Sequence, residues 1–130
     1  MRYLMLCAGL LSLVNLAFAE NNLFCQGETY IECEASKYDG NSWSSLGHFR
    51  SHNEPVYNNG EPSCNAEFES GSLRFSADGN FQEGLIYFGS IYDYEHRVGT
   101  QIQLAKREEI SLYLFSGGKQ YSLDCKMLPN

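Results

Sequence analysis

The chain has 130 residues, sixteen of them acidic and nine basic, and its net charge is −7. This length suits one globular domain. The negative charge argues against nucleic acids and anionic membranes as partners, because both attract basic proteins. It is typical of a soluble protein and is also consistent with attraction to a basic partner.

The N-terminus has the layout of a secretory signal peptide. Arg2 precedes an apolar run over residues 3–14, which is followed by an Ala-Phe-Ala cleavage signal. The run is shorter than the roughly 20 apolar residues of a membrane span. We therefore expect residues 1–19 to be cleaved, with no membrane insertion afterwards. Residues 20–130 are then expected to form one domain in the periplasm or outside the cell.

The first half of this domain predicts two strands and a long loop. Residues 28–37 alternate between apolar and polar side chains, which is typical of a half-buried strand. Asp-Gly-Asn at 39–41 is a hairpin signal, because glycine tolerates the positive φ of a tight turn. Residues 42–52 predict a weaker returning strand. Residues 53–63 contain two prolines and a glycine, so we expect an irregular loop there.

The middle of the chain predicts a long strand, a turn and an aromatic strand. Residues 64–75 alternate clearly, with a bulge expected at Gly71. A second Asp-Gly-Asn, at 78–80, predicts another hairpin. Residues 81–94 carry aromatic side chains on both faces, which indicates a central strand or one that lines a site as well as the core.

The last third predicts three more strands. Residues 101–105 alternate with Leu104 inward, and the strands over 110–114 and 121–125 are joined by a Gly-Gly hairpin at 116–119. No segment has apolar residues at helical spacing. The sequence therefore predicts an all-β fold, a small antiparallel meander of about seven strands that forms a barrel or a sandwich.

Four cysteines follow the predicted cleavage site: Cys25, Cys33, Cys64 and Cys125. An even number in an exported protein predicts two disulfides, and no pair has the Cys-x₂-Cys spacing of a zinc site. If the first and last strands meet, Cys25 would bond Cys125 and leave Cys33 for Cys64. The long-range bridge would stabilise the fold by roughly 4 kcal/mol through loop closure.

The sequence contains no recognisable catalytic or metal-binding pattern. His48 and His52 are four residues apart on a predicted strand, about 13 Å, which is too far to share one ion. The Asp-Gly-Asn turns lack the alternating acidic ligands of a calcium loop. There is no Gly-x-Ser-x-Gly elbow, and the cysteines are expected to be oxidised. We therefore expect a non-catalytic protein without a metal or cofactor.

A short motif resembles a known family. Ser-Gly-Ser-Leu-Arg-Phe at 70–75, followed by Leu-Ile-Tyr-Phe at 85–88, resembles the Ser-Gly-rich motif and following strand of bacterial inhibitors of C-type lysozyme. This resemblance implies a small antiparallel barrel with disulfides, whose motif loop enters the lysozyme cleft. It also implies that Ser70, Ser72 and Arg74 are binding residues.

Aromatic residues form a second set of candidates for binding sugars or partner side chains, and such residues are also typical of half-buried strand positions. They are Trp43, Tyr57, Tyr92 and Tyr94. We therefore predict an exported, non-catalytic binding or inhibitor-type protein that acts on a basic protein such as a lysozyme. The alternatives are a barrel that binds a glycan or small ligand, and a structural envelope protein.

Overall fold

The structure, a computed structural model, describes residues 29–51, 56–58 and 61–129. The predicted signal peptide and Cys25 lie outside these residues. The described chain has nine antiparallel strands and no helix: β1 (Thr29–Tyr38), β2 (Trp43–Arg50), β3 (Val56–Asn58), β4 (Glu61–Ser70), β5 (Leu73–Asn80), β6 (Leu85–Asp93), β7 (Val98–Ile102), β8 (Glu109–Ser116) and β9 (Lys119–Pro129).

The strands form two sheets that face each other across one apolar core. Sheet one has the order β2-β1-β9-β8, and sheet two has the order β3-β4-β5-β6-β7. Alternate residues of β1, β8 and β9 point inward, as period-two alternation predicts, so the predicted apolar faces of these three strands are confirmed. The buried core draws on both sheets: Ile31, Cys33, Ala35, Ile110, Leu112, Leu114, Tyr121, Leu123 and Cys125 from sheet one, and Ala66, Leu73, Phe75, Ala77, Ile86 and Ile91 from sheet two.

Two glycines let the sheets approach closely. A Cβ at Gly47 would lie 2.5 Å from the ring of Phe68, and a Cβ at Gly89 would lie 2.4 Å from Ile110 Cδ1. Real Cβ atoms do not approach so near, so any other residue would force these side chains to move. Phe68 instead stacks on Phe49 of the opposite sheet, with ring centroids 5.4 Å apart.

The connection between β7 and β8 carries the chain from one sheet to the other. Ile86 donates its N–H to the Arg107 carbonyl at 2.7 Å, and Arg107 returns a bond at 3.0 Å. Met127 of β9 donates to the Glu108 carbonyl at 2.8 Å. These bonds tie the connection to both sheets, but the sheets are not closed into a barrel. The fold is therefore the sandwich of the two predicted alternatives.

Two predicted hairpins are confirmed. Gly40 has a φ of +103°, and Asp39 Oδ1 accepts hydrogen bonds from the N–H groups of Asn41 and Ser42 at 2.9 and 3.0 Å. Gly117 and Gly118, between β8 and β9, have φ values of +58° and +74°. A positive φ at both central residues is what a type I′ hairpin turn requires.

The expected course of residues 64–80 is wrong. The Asp-Gly-Asn at 78–80 lies inside β5, and the hairpin turn is at Gly71, whose φ is +59°. The bulge expected at Gly71 instead occurs between Asp78 and Gly79. The next turn follows Asn80, whose side chain accepts bonds from two backbone N–H groups beyond it. One expected strand is therefore two. The described residues form eight strands of five or more residues in place of the expected seven, besides the three-residue β3.

Two other expectations about loops are also wrong. The irregular loop expected over 53–63 contains β3, which pairs with the start of β4. Leu104, expected to point inward, is 82% exposed because β7 ends at Ile102.

The described disulfide joins Cys33 to Cys125, so the expected pairing of each with another cysteine is wrong. The first and last strands do meet, as expected. In their register, however, Cys33 is the residue directly opposite Cys125, whereas Cys25 precedes β1. The bond spans 92 residues of sequence, and closing such a loop stabilises a fold by about 4.5 kcal/mol in the chain-entropy model.

Candidate binding surfaces

The outward side of sheet one, called here the sheet-one face, presents two neighbouring zones. Near the hairpin ends of its strands lies an aromatic strip, and further along lies an acidic depression of about 290 Å³. The strip is formed by Tyr38, Trp43, Tyr113 and Phe115. The charged and polar side chains of the depression belong to Glu32, Glu34, His48, Glu109, Ser111, Asp124 and Lys126.

Trp43 is the centre of the aromatic strip. Its ring centroid lies 5.3 Å from that of Tyr38, its partner across the strands, and 6.1 Å from that of Tyr113. Trp43 is 43% exposed and Tyr113 is 56% exposed, so part of each side chain remains open to solvent. Phe115, two residues along β8, is 71% exposed. Such a surface can stack against apolar groups, sugar rings or cations.

Small side chains allow the strip to cross the sheet. Trp43 is on β2 and Tyr113 is on β8, with β1 and β9 between them. Directly across the sheet from Tyr113, β9 carries Ser122 and β1 carries Ser36, and these two serines are strand partners. Both serines alternate with core residues and so point outward, yet both are buried. We infer that the aromatic rings cover them.

The depression contains rows of residues that are partners across adjacent strands, and the charges of one such row cancel. Across the four strands, Arg50, Glu32, Lys126 and Glu109 follow one another as direct partners. Every neighbour in this row has the opposite charge, the arrangement that stabilises cross-strand pairs. The two positive and two negative charges of this row therefore cancel.

The next row is not balanced. There the order is His48, Glu34, Asp124 and Ser111, so Glu34 and Asp124 are direct partners on β1 and β9. Like charges placed directly opposite each other destabilise a sheet. His48 Nε2 lies 3.5 Å from Glu34 Oε2, and Ser111 donates a hydrogen bond to Asp124 at 2.6 Å. Neither contact places a permanent positive charge between the two carboxylates.

The predicted residues Arg74, Tyr92 and Tyr94 come together on the outward side of sheet two. Arg74 and Tyr92 are direct partners, and the rings of Tyr92 and Tyr94 meet edge to face at 4.8 Å. Arg74 Nη2 lies 2.6 Å from Glu67 Oε1. The Tyr94 phenol and then the Glu67 carboxylate raise the pKa of Arg74. The positive charge of this cluster is therefore already engaged.

The other predicted binding residues are dispersed. Trp43 lies on the other sheet from Arg74, and Ser70 is half-buried at the end of β4. Tyr57 lies in β3 opposite Pro62. His52 lies outside the described residues. No sequence pattern predicts the pairing of Glu34 with Asp124, because this pairing depends on the register of strands about ninety residues apart.

Ser72 takes part in a hydrogen-bonded cluster around Asp93, which is 2% exposed. Asp93 Oδ1 accepts a hydrogen bond from the Ser72 hydroxyl at 2.8 Å. Asp93 Oδ2 accepts one from the Ser116 hydroxyl at 2.6 Å and lies 2.8 Å from His96 Nδ1. The Ser116 hydroxyl, followed by Ser72 and His96, lowers the pKa of Asp93. Ser72 thus helps to join three turns, at the ends of both sheets.

The Asp93 cluster does not have the geometry of a nucleophilic site. Both serines donate to the carboxylate, so neither hydroxyl is activated by the imidazole of His96. Ligand atoms of Asp93, Glu95 and His96 lie within 4.8 Å of one another. Both oxygens of Asp93 already accept hydrogen bonds, which accounts for this grouping without an ion.

Comparison with known proteins gives no relative: no family model, no curated protein and no solved structure matches the chain. The resemblance of residues 70–75 to lysozyme inhibitors therefore stays a prediction. Within the described ranges, no helix is both long and apolar enough to cross a bilayer.

Proposed function

We propose that this is an exported, non-catalytic binding protein that recognises a basic protein through the acidic depression of the sheet-one face. The observation that carries the proposal is the direct pairing of Glu34 with Asp124. A lysine or arginine of a partner, placed between these carboxylates, would replace their repulsion with two attractions.

The surroundings of the pair favour a protein partner with basic side chains. The neighbouring row balances its own charges, so it leaves Glu34 and Asp124 as the acidic focus of the depression. The exposed rings of Trp43 and Tyr113 lie on the same face and offer contacts to cations and to aliphatic stems. Acidic surface beside exposed aromatic side chains is the complement of a basic surface.

The scaffold is suited to hold the pair in place. Glu34 and Asp124 are next in sequence to Cys33 and Cys125, the two bonded cysteines. The disulfide therefore joins β1 and β9 at the point where the outward carboxylates repel each other. A site that is held rigid loses less conformational entropy on binding.

The test is binding of the oxidised mature protein, residues 20–130, to a panel of basic proteins that includes C-type lysozyme, at low and high salt. We expect one basic protein to bind, with at least tenfold weaker affinity at high salt. Asp124→Asn should weaken this binding about tenfold. The matched control is Glu69→Gln, which removes the same charge from an exposed position on sheet two. Binding that is indifferent to salt, or no binding by any member of the panel, would count against the proposal.

The second candidate is glycan binding by the aromatic strip, which is favoured by the exposure of Trp43, Tyr113 and Phe115. Soluble oligosaccharides should then quench the fluorescence of Trp43, the single tryptophan of the chain. The affinity should be insensitive to salt and abolished by Trp43→Ala. Unchanged fluorescence across an oligosaccharide panel would remove this candidate.

Export to the periplasm or beyond the cell is part of the proposal. It is supported by the predicted signal peptide and by the Cys33–Cys125 disulfide, since such bonds persist in oxidising compartments. Expression with the native N-terminus should yield a protein that begins at Glu20 in the extracytoplasmic fraction. Retention of residues 1–19 on a cytoplasmic protein would contradict export.

A further inference from the structure

β8 forms one edge of sheet one. It pairs with β9, and within the part of the chain that the structure describes no strand pairs with its other side. Its register with β9 is unbroken from Glu109 to Ser116, and the strand contains neither glycine nor proline. Its side chains alternate strictly between exposed and buried positions. β8 is therefore a long and regular edge, the kind to which another strand can be added.

The other described edge strands are less suited to pairing. β2 is as long as β8, but its register with β1 shifts between Ala35 and Ser36. β3 has three residues and β7 has five, and the chain leaves β7 through Leu104, whose φ is +54°. Short length and irregular register both hinder the addition of a strand. Among the described edges, β8 therefore offers the best template.

The unpaired backbone groups of β8 belong to residues whose side chains point outward. Met127 donates its N–H to the Glu108 carbonyl at 2.8 Å, which continues the ladder of β8 with β9. In an antiparallel ladder, hydrogen-bonded pairs alternate with pairs whose N–H and C=O groups point away from the partner strand. The groups that point away from β9 are therefore those of every second residue: Glu109, Ser111, Tyr113 and Phe115.

Two of these four residues border the acidic depression. Glu109 and Ser111 line it, and Ser111 is the direct partner of Asp124. Because neighbouring strands lie about 4.8 Å apart, a residue added opposite Ser111 would have its backbone about 10 Å from that of Asp124. The serine between them is small, and a lysine or arginine side chain is long enough to reach across it. A residue added opposite Glu109 would face a carboxylate directly, so both positions favour a basic side chain.

The other two positions favour apolar side chains. Tyr113 and Phe115 are exposed on the sheet-one face, and residues placed opposite them would cover part of each ring. Cross-strand contacts of aromatic with β-branched or aromatic side chains stabilise paired strands. The edge therefore specifies a strand whose outward side chains are basic beside the depression and apolar near the hairpin of β8 and β9.

We propose that the basic partner adds an extended segment to sheet one, antiparallel to β8, with lysine or arginine opposite Glu109 and Ser111. This inference rests on the proposed function and specifies how the partner binds. Antiparallel pairing is the more stable arrangement per residue. Backbone hydrogen bonds supply affinity, and the alternate side chains select the partner.

A second copy of this chain fits the edge less well than a basic segment. Each copy has a net charge of −7, so two copies repel each other. β8 also contains Glu109 and no basic residue, so a second β8 would bring no positive charge to the depression. The charge of the edge therefore favours a basic segment of another protein.

A synthetic peptide as long as β8, Val-Thr-Val-Thr-Lys-Thr-Lys-Thr, tests the proposal on the oxidised mature protein, residues 20–130. In a strand, its valines and lysines share one face and lie opposite the outward residues of β8. Their N–H groups would bond to β8, whereas those of the threonines would point away. We expect N-methylation of the valines and lysines to weaken binding at least tenfold and N-methylation of the threonines to weaken it less than threefold. Equal effects of the two modifications would overturn the proposal.

Amide hydrogen exchange, measured by NMR, shows directly whether the edge is used. In the free protein, the amides of Glu109, Ser111, Tyr113 and Phe115 should exchange faster than those of the residues between them, which bond to β9. Saturation with the peptide should slow these four amides at least tenfold. Protection of all four in the free protein would show that the edge is already covered and would overturn the proposal.

The same measurements separate this proposal from the proposed function. Binding of the peptide that is lost in Asp124→Asn but leaves the four amides unprotected would overturn the addition of a strand and leave recognition of basic partners intact. Failure of both the peptide and every basic protein of the panel to bind would overturn both.

Discussion

Two groups of carboxylates in this protein differ in how the fold treats their charge. Asp93 is buried, and the fold surrounds it with two serine hydroxyls, an imidazole and backbone N–H groups. Glu34 and Asp124 lie outward on adjacent strands, and each faces another negative charge. A carboxylate with a full set of internal donors is explained by stability. Paired carboxylates that the fold leaves in mutual repulsion are better explained by a partner.

The largest expected effect comes from removing the charge of Asp93. In Asp93→Asn, the new amide NH₂ faces groups that are themselves donors, so buried hydrogen-bond donors lose their acceptor. We expect the thermal midpoint to fall by about 10 °C. Asp124→Asn is the matched control, and its midpoint should stay within about 2 °C of the wild type. An Asp93→Asn midpoint equal to that of the wild type would show that the cluster does not stabilise the fold.

Removing single hydrogen-bond donors tests the same difference between Asp93 and Asp124. Ser116→Ala removes a buried hydroxyl from Asp93, and Ser111→Ala removes an exposed hydroxyl from Asp124. Because only the first leaves a buried charge short of a donor, we expect midpoint losses of about 5 °C and less than 2 °C. Equal losses of the thermal midpoint in the two variants, measured by differential scanning calorimetry, would contradict the distinction between Asp93 and Asp124.

The pH dependence of stability should also reveal the hydrogen bonds that Asp93 accepts. The donors around Asp93 lower its pKa below the unfolded value of about 3.9. Its contribution is therefore present above pH 4 and is lost as the pH falls through the folded pKa. Burial raises the pKa of Asp78, which acts in the opposite sense. Measured by urea unfolding, the free energy of unfolding should fall less between pH 6 and pH 2 in Asp93→Asn than in the wild type. An equal fall in both proteins would contradict the stabilising role of the Asp93 carboxylate.

The sequence predicts those features that depend on short stretches of chain. Period-two alternation gave the inward faces of β1, β8 and β9, and the Asp-Gly-Asn at 39–41 gave its hairpin. The same tripeptide at 78–80 forms no turn, because pairing with β6 continues through it with a bulge. Turn propensity is a local preference, and strand pairing overrides it.

The candidate site is less accessible to sequence reasoning. Trp43 is recognisable by residue type, and it lies in the aromatic strip. Glu34 and Asp124 become partners only through the register of β1 with β9, which also places Cys33 opposite Cys125. That register is set by contacts across the whole domain, so neither the acidic pair nor the disulfide follows from spacing along the chain.

A double-mutant cycle on Glu34 and Asp124 tests the central claim most directly, and it needs no partner. The free energies of unfolding are measured at low salt for the wild type, Glu34→Gln, Asp124→Asn and the double variant, since such a cycle isolates the pairwise interaction. We predict a repulsive interaction of about 0.5 kcal/mol that shrinks in high salt. An interaction of zero, or an attractive one, would show that the fold already satisfies this pair and would remove the reason to assign it to a basic partner.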